Sequence, residues 1–113
     1  MRFYGLKTCD TCKKALKALE GAGKAPEVVD VRADGVARDA LAGWLAALGP
    51  EVLVNTRSTT WRGLDDAERS KASTAEGALD LLLAHPTLMK RPVIVDGDQV
   101  HVGWTKAVQD AVL

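Results

Sequence analysis

The sequence carries no excess charge of either sign, with 15 Lys and Arg against 15 Asp and Glu in 113 residues. A dedicated nucleic-acid binder needs a basic surface for phosphates, and this balance removes that electrostatic footprint. Long apolar runs are also missing, so no segment reads as a bilayer span. The first residues lack the charged-then-apolar pattern of a secretory signal, and the expectation is a cytoplasmic protein with no membrane partner. Cysteine is scarce: Cys9 and Cys12 are the only two. A domain of this length does not need a disulfide to fold, so the pair is expected in a reducing compartment, kept for chemistry. Histidine is as sparse, with only His85 and His101. A zinc site on the two cysteines would need two further ligands, and these histidines lack finger-like spacing. No metal and no bound cofactor is expected. Repeats, linkers and low-complexity tracts are absent, which leaves a single domain over residues 1–113.

What is present is a regular alternation of strand and helix signals. Residues 2–4 read as a short strand ended by Gly5. Cys12, Ala15, Leu16 and Leu19 then follow the i, i+3, i+4, i+7 spacing of one buried helix face, stopped by Gly21 and Gly23. Residues 27–31 read as a second strand closed by Asp34-Gly35. Ala37, Leu41, Trp44, Leu45 and Leu48 repeat at helical spacing up to Gly49-Pro50. Asn55 to Gly63 is polar and hydroxyl-rich, the pattern of a loop, and residues 64–72 suit a short helix. Ser73 to Glu76 has the form of a capping box, opening a helix with Ala75, Ala78, Leu79, Leu82 and Leu83 inward. Val93 to Val95 and Val100 to Val102 flank Asp96-Gly97-Asp98 as a β-hairpin, with His101 expected to face outward. A last helix is expected to bury Trp104, Ala107, Val108, Ala111 and Val112. A βαβ half, a helical insert and a ββα half make an α/β protein on the thioredoxin-like plan, with a mixed four-stranded sheet.

The chemistry concentrates at Cys9-Asp10-Thr11-Cys12, a C-x-x-C between the first strand and the first helix. In such a context the motif reads as thiol–disulfide redox chemistry. A helix starting near Asp10 puts Cys9 at its N-cap, against free N–H groups and the positive end of the dipole, and Lys7, Lys13 and Lys14 add positive charge. Both effects favour the thiolate at Cys9. Cys12 falls in phase with Leu16 and Leu19 and reads as a buried resolving thiol. Arg91-Pro92 enters the third strand. A proline at a strand start is ordinarily trans; only the thioredoxin-like plan favours cis here, facing the cysteine loop. Arg91 suits a carboxylate or oxyanion near Cys9. On residue type alone, Arg57 and Arg62 beside Trp61 read as a solvated loop, and Trp44 and Trp104 as core.

Three blocks then stand in order: Tyr4-Gly5-x-Lys7-x-Cys9-Asp10-Thr11-Cys12-Lys13-Lys14-Ala15, Asn55-Thr56-Arg57-Ser58-Thr59-Thr60-Trp61-Arg62, and Lys90-Arg91-Pro92. Together they resemble the arsenate reductase-like (ArsC/Spx) family, most closely its YffB-type branch, and the resemblance runs essentially from end to end. It implies a thioredoxin-like sheet with a helical insert and Cys9 as the nucleophilic cysteine. It also implies an oxyanion-binding role for Arg91 and a second active-site arginine at Arg57, with Pro92 and Thr11 completing the anion-binding set. Glutathione is the implied co-substrate, with a small thiol or oxyanion as partner and a monomer as the default state. Glutathione-coupled arsenate reductases have a third arginine in the last hairpin, whereas this chain has Val100-His101-Val102-Gly103-Trp104 there. Cys12 is a second departure and is similar to the C-x-x-C switch of Spx-type regulators. The resemblance thus implies a glutathione-linked thiol oxidoreductase first. A true arsenate reductase and a redox-sensing regulator that binds RNA polymerase are its alternatives.

Overall fold

β-branched and aromatic residues at Phe3-Tyr4, Val28-Val29 and Val93-Ile94-Val95 suit a pleated, half-buried surface, and each falls in a strand. The computed structural model describes all residues, Met1–Leu113. Its element order is β1 (Arg2–Gly5), α1 (Asp10–Gly21), β2 (Glu27–Asp30), α2 (Arg38–Leu48), α3 (Pro50–Leu53), α4 (Thr59–Arg62), α5 (Asp66–Ser70), α6 (Ala75–Ala84), β3 (Val93–Asp96), β4 (Gln99–Val102) and α7 (Lys106–Val112). The chain divides into two units, one of Met1–Asp34 with Arg91–Leu113 and one of Gly35–Lys90. No helix is long and apolar enough to cross a membrane.

The first unit holds the mixed four-stranded sheet, in the order β2-β1-β3-β4. β1 runs parallel to β2 and antiparallel to β3, and β3 pairs antiparallel with β4. The hairpin closes through two residues, Gly97 and Asp98, between the paired Asp96 and Gln99. Gly97 takes φ 59°, a left-handed value that glycine adopts without steric cost. Phe3 and Ile94 are direct partners and share a face, and on them pack Cys12, Ala15 and Leu19 of α1 with Val108 and Val112 of α7. Burying each of the Phe, Ile, Leu and Val side chains among them contributes about 1.5–3 kcal/mol relative to exposure.

Two expectations shift here. Thr105 caps α7 by accepting the Val108 N–H at 3.3 Å. With the helix starting at Lys106, Val108 and Val112 turn inward, Ala107 and Ala111 are exposed, and Trp104 packs half-buried against the core from the preceding loop. His101 pairs with Ile94, so it shares the core face and is half-buried instead of facing outward.

In the second unit α2 packs on α6, with Leu41, Trp44 and Leu45 buried on one helix and Ala78, Leu79, Leu81 and Leu82 on the other. The capping-box expectation is corrected. Thr74, not Ser73, caps α6 by accepting the Gly77 N–H at 3.1 Å, while the Ser73 hydroxyl donates to the Ser70 carbonyl at 2.8 Å. That start sets the phase of the helix, leaving Ala75 and Leu83 exposed and burying Leu81. Ala37 likewise lies outside its helix, as the exposed N-cap of α2. Residues 64–72, expected as one helix, form α5 followed by a 3₁₀ turn at Lys71–Ser73.

Candidate active site

The thiol loop is built by the end of β1. After Gly5 the chain turns so that the Leu6 carbonyl accepts the Cys9 N–H at 3.1 Å, and the Cys9 carbonyl accepts the Lys13 N–H at 3.0 Å. Cys9 is thereby the N-cap of α1, with extended φ −83° and ψ 118°, and the helix continues through Asp10, Thr11 and Cys12. Both cysteines are free thiols. They differ in burial: Cys9 is half-buried, and Cys12 is 1% exposed within the core.

Their acidities diverge for the same reason. At Cys9 burial is the largest single influence and opposes ionisation. The Cys12 N–H, the Cys12 thiol and the Arg91 guanidinium together outweigh it and hold the Cys9 thiol below the ordinary range. The thiol makes no formed capping bond, so the Cys12 N–H acts as an oriented dipole near the sulfur. At Cys12 burial pushes the thiol up to about 11. The Leu6 N–H and the Arg91 charge favour ionisation, but they are overcome by burial and by the neighbouring Cys9 sulfur. The geometry favours the thiolate at Cys9 and the protonated thiol at Cys12.

Arg91 and Pro92 come from the residues that lead into β3. β3 is antiparallel to β1, so its start lies at the end of the sheet where β1 delivers Cys9. The Arg91–Pro92 peptide is cis, Pro92 is fully buried, and its carbonyl accepts the Gly103 N–H at 2.8 Å. Thr11 is exposed in the first turn of α1. Cys9, Cys12 and Arg91 are thus brought together in the first unit.

Arg57 belongs to the second unit, where the segment expected as a loop is partly helical. The Asn55 side chain accepts the Arg57 N–H at 3.0 Å, and Ser58 caps α4 by accepting the Trp61 N–H at 3.1 Å. Arg69 stacks over Trp61 at 5.8 Å from the ring centre and donates to the carbonyls of Trp61 and Arg62 at 3.3 and 3.2 Å. The Arg57 side chain itself is exposed.

Three contributors escaped sequence reasoning. Leu6 holds the Cys9 backbone through its carbonyl and faces the Cys12 thiol with its N–H. Gly5 leaves room for Cys12: a Cβ there would stand 2.8 Å from the Cys12 Sγ and 2.9 Å from the Phe3 Cε1. Asp30 ends β2 and accepts the N–H groups of Ala33 and Arg32, both at 2.9 Å. Those bonds, the Ala33 one foremost, and the N–H and charge of Lys7 hold its carboxyl below the usual range against the cost of burial. Asp30 therefore stands beside Lys7 of the thiol loop. No group of three or more His, Cys, Asp or Glu side chains is arranged to hold a metal ion.

Comparison with known proteins bears on the family and the fold. The model of the ArsC family matches residues 4–111. An uncharacterized protein of Haemophilus influenzae is 40% identical over 103 residues, covering 91% of this chain and 90% of its own. The solved structure of a YFFB protein superposes with a TM-score of 0.91 at 36% identity, covering 98% of this chain and 96% of that one. An arsenate reductase (ArsC) related protein from Brucella melitensis gives a TM-score of 0.76 at 35% identity, over 98% and 93% of the two chains.

Proposed function

This chain belongs to the ArsC family, and on that premise we propose that it is a cytoplasmic, glutathione-linked thiol oxidoreductase with Cys9 as its nucleophile. The observation that carries the reading is the inequality of the two thiols: Cys9 is held toward the thiolate beside Arg91, while Cys12 is pushed up to about 11. A thiolate attacks; a thiol does not.

In the proposed reaction the Cys9 thiolate attacks one sulfur of a substrate disulfide. A Cys9–sulfur bond forms, the substrate S–S bond breaks, and the departing thiolate takes a proton from solvent. A glutathione thiolate then attacks the substrate sulfur of the mixed disulfide, which returns Cys9 as thiolate and leaves the substrate sulfur bonded to glutathione. The high value for Cys12 supports glutathione over Cys12 as the resolving thiol, because a buried protonated sulfur is the slower attacker. Arg91 binds the anionic end of the substrate, since a guanidinium matches a carboxylate or oxyanion in a planar fork. Thr11 offers a first-turn N–H with no intrahelical acceptor. Pro92 and Arg57 are each assigned an anion-binding role on the family pattern alone.

Exposure to oxidised glutathione tests the reading. Mass spectrometry is expected to find one glutathione adduct, on Cys9, that free glutathione removes. A chain that stays unmodified, or that carries its adduct on Cys12, contradicts the proposal.

A further inference from the structure

The sheet face that α1 covers is not covered evenly. Register pairs Phe3 with Val28 and Gly5 with Asp30, so these four positions share that face. Helix α1 sets Cys12, Ala15 and Leu19 against Phe3 and Ile94, over β1 and β3. On the β2 side the cover thins, and Val28 is left 49% exposed. There lies a cavity of 190 Å³ whose apolar walls are Phe3, Leu6, Leu16 and Val28. Phe3 and Leu6 form a buried floor, while Leu16 is half-buried.

Charge is confined to three side chains of the lining, Lys7, Lys13 and Asp30. Asp30 already accepts the Ala33 and Arg32 N–H groups and offsets part of the Lys7 charge. Lys13 is exposed and belongs to neither of the protein's ion pairs, Arg2–Glu27 and Lys71–Glu68. The net result is an apolar hollow with a surplus of one positive charge at its rim. An apolar cavity of about 150 Å³ takes a benzene ring and excludes water, so this one suits a body slightly larger.

We propose that this cavity is a binding site for a monocarboxylate with a compact apolar body, of the size of phenylacetate or hexanoate. The body lies on Phe3, Leu6, Leu16 and Val28, and the carboxylate faces Lys13 and Lys7. The site adjoins the thiol loop, with Gly5, Leu6 and Lys7 in its lining, but it opens toward β2, whereas Arg91 approaches Cys9 from β3. It stands or falls independently of the proposed reaction.

Methyl NMR titration of the full chain with phenylacetate and hexanoate, against benzyl alcohol and hexan-1-ol, tests this. Saturable shifts at the Leu16 and Val28 methyls are expected at about 10 mM ligand, enough to saturate a Kd near 1 mM. The acids are expected to bind about fivefold more tightly than the alcohols, a preference that Lys13→Gln reduces and added salt weakens. Val28→Trp fills the hollow from an exposed strand position that tolerates an aromatic residue, and is expected to remove binding. Leu16→Phe fills it from α1 and is expected to do the same. Absence of saturable shifts, equal affinity for acid and alcohol, or undiminished binding in either filled variant overturns the proposal.

Discussion

Cys9→Ser is expected to lower thiol-dependent turnover by on the order of a thousandfold or more while the protein stays folded. A serine hydroxyl at this N-cap feels the same Cys12 N–H and the same Arg91 guanidinium as the thiol does, yet it is far too weak an acid for that field to ionise it. The loss is therefore one of chemistry, not of structure. Serine is a preferred N-cap residue, and Cys9 makes no side-chain capping bond of its own, so the helix is expected to hold or to gain slightly. Steady-state turnover with glutathione, measured beside a thermal melt, separates the two. A folded variant that keeps more than about a tenth of the activity would remove Cys9 from the role of nucleophile.

Gly5→Ala is expected to destabilise the fold by about 1–3 kcal/mol, because the added methyl overfills a packed site. Its Cβ would stand 2.8 Å from the Cys12 Sγ, 2.9 Å from the Phe3 Cε1 and 3.3 Å from the Cys12 Cβ. Cys12 and Phe3 are each 1% exposed in the core of the first unit and have little room to retreat. Any retreat of the Cys12 sulfur also takes it from the Leu6 N–H and from Cys9. Urea unfolding is expected to show a lower midpoint at an unchanged slope. An unchanged midpoint would mean that the Cys12 side chain moves aside at no cost.

Much of this was legible in the sequence, because it rests on local rules. The order of strands and helices follows from apolar spacing and from Gly and Pro punctuation, and the hairpin around Gly97 is a local turn signal. The different burial of Cys9 and Cys12 follows from helix phase, since Cys12 is in register with Ala15 and Leu19. Errors came where one residue of helix start sets the whole phase. Thr74 in place of Ser73 as the cap turned Leu81 inward and Leu83 outward, and Thr105 as the cap left Trp104 outside its helix. What could not be read were contributions that depend on strand register or on backbone atoms. Nothing in the sequence marks the Leu6 N–H or the space at Gly5, because both act through backbone geometry in the turn between β1 and α1, and the Asp30 carboxylate meets Lys7 only through the pairing of β1 with β2.

The fold shifts Cys9 toward the thiolate while keeping Cys12 protonated. The most direct measurement is the rate of iodoacetamide alkylation at each cysteine as a function of pH, followed by mass spectrometry. Alkylation tracks the thiolate, so a depressed value moves the half-maximal rate to lower pH and a raised one to higher pH. Cys9 is expected to reach half its maximal rate below the value of about 8.5 for a free thiol. Arg91→Ala is expected to move that midpoint upward, as the loss of a neighbouring opposite charge requires. Cys12 is expected to react only as the pH approaches about 11. A Cys9 midpoint at or above that of a free thiol, or Cys12 reacting first at neutral pH, would contradict the account.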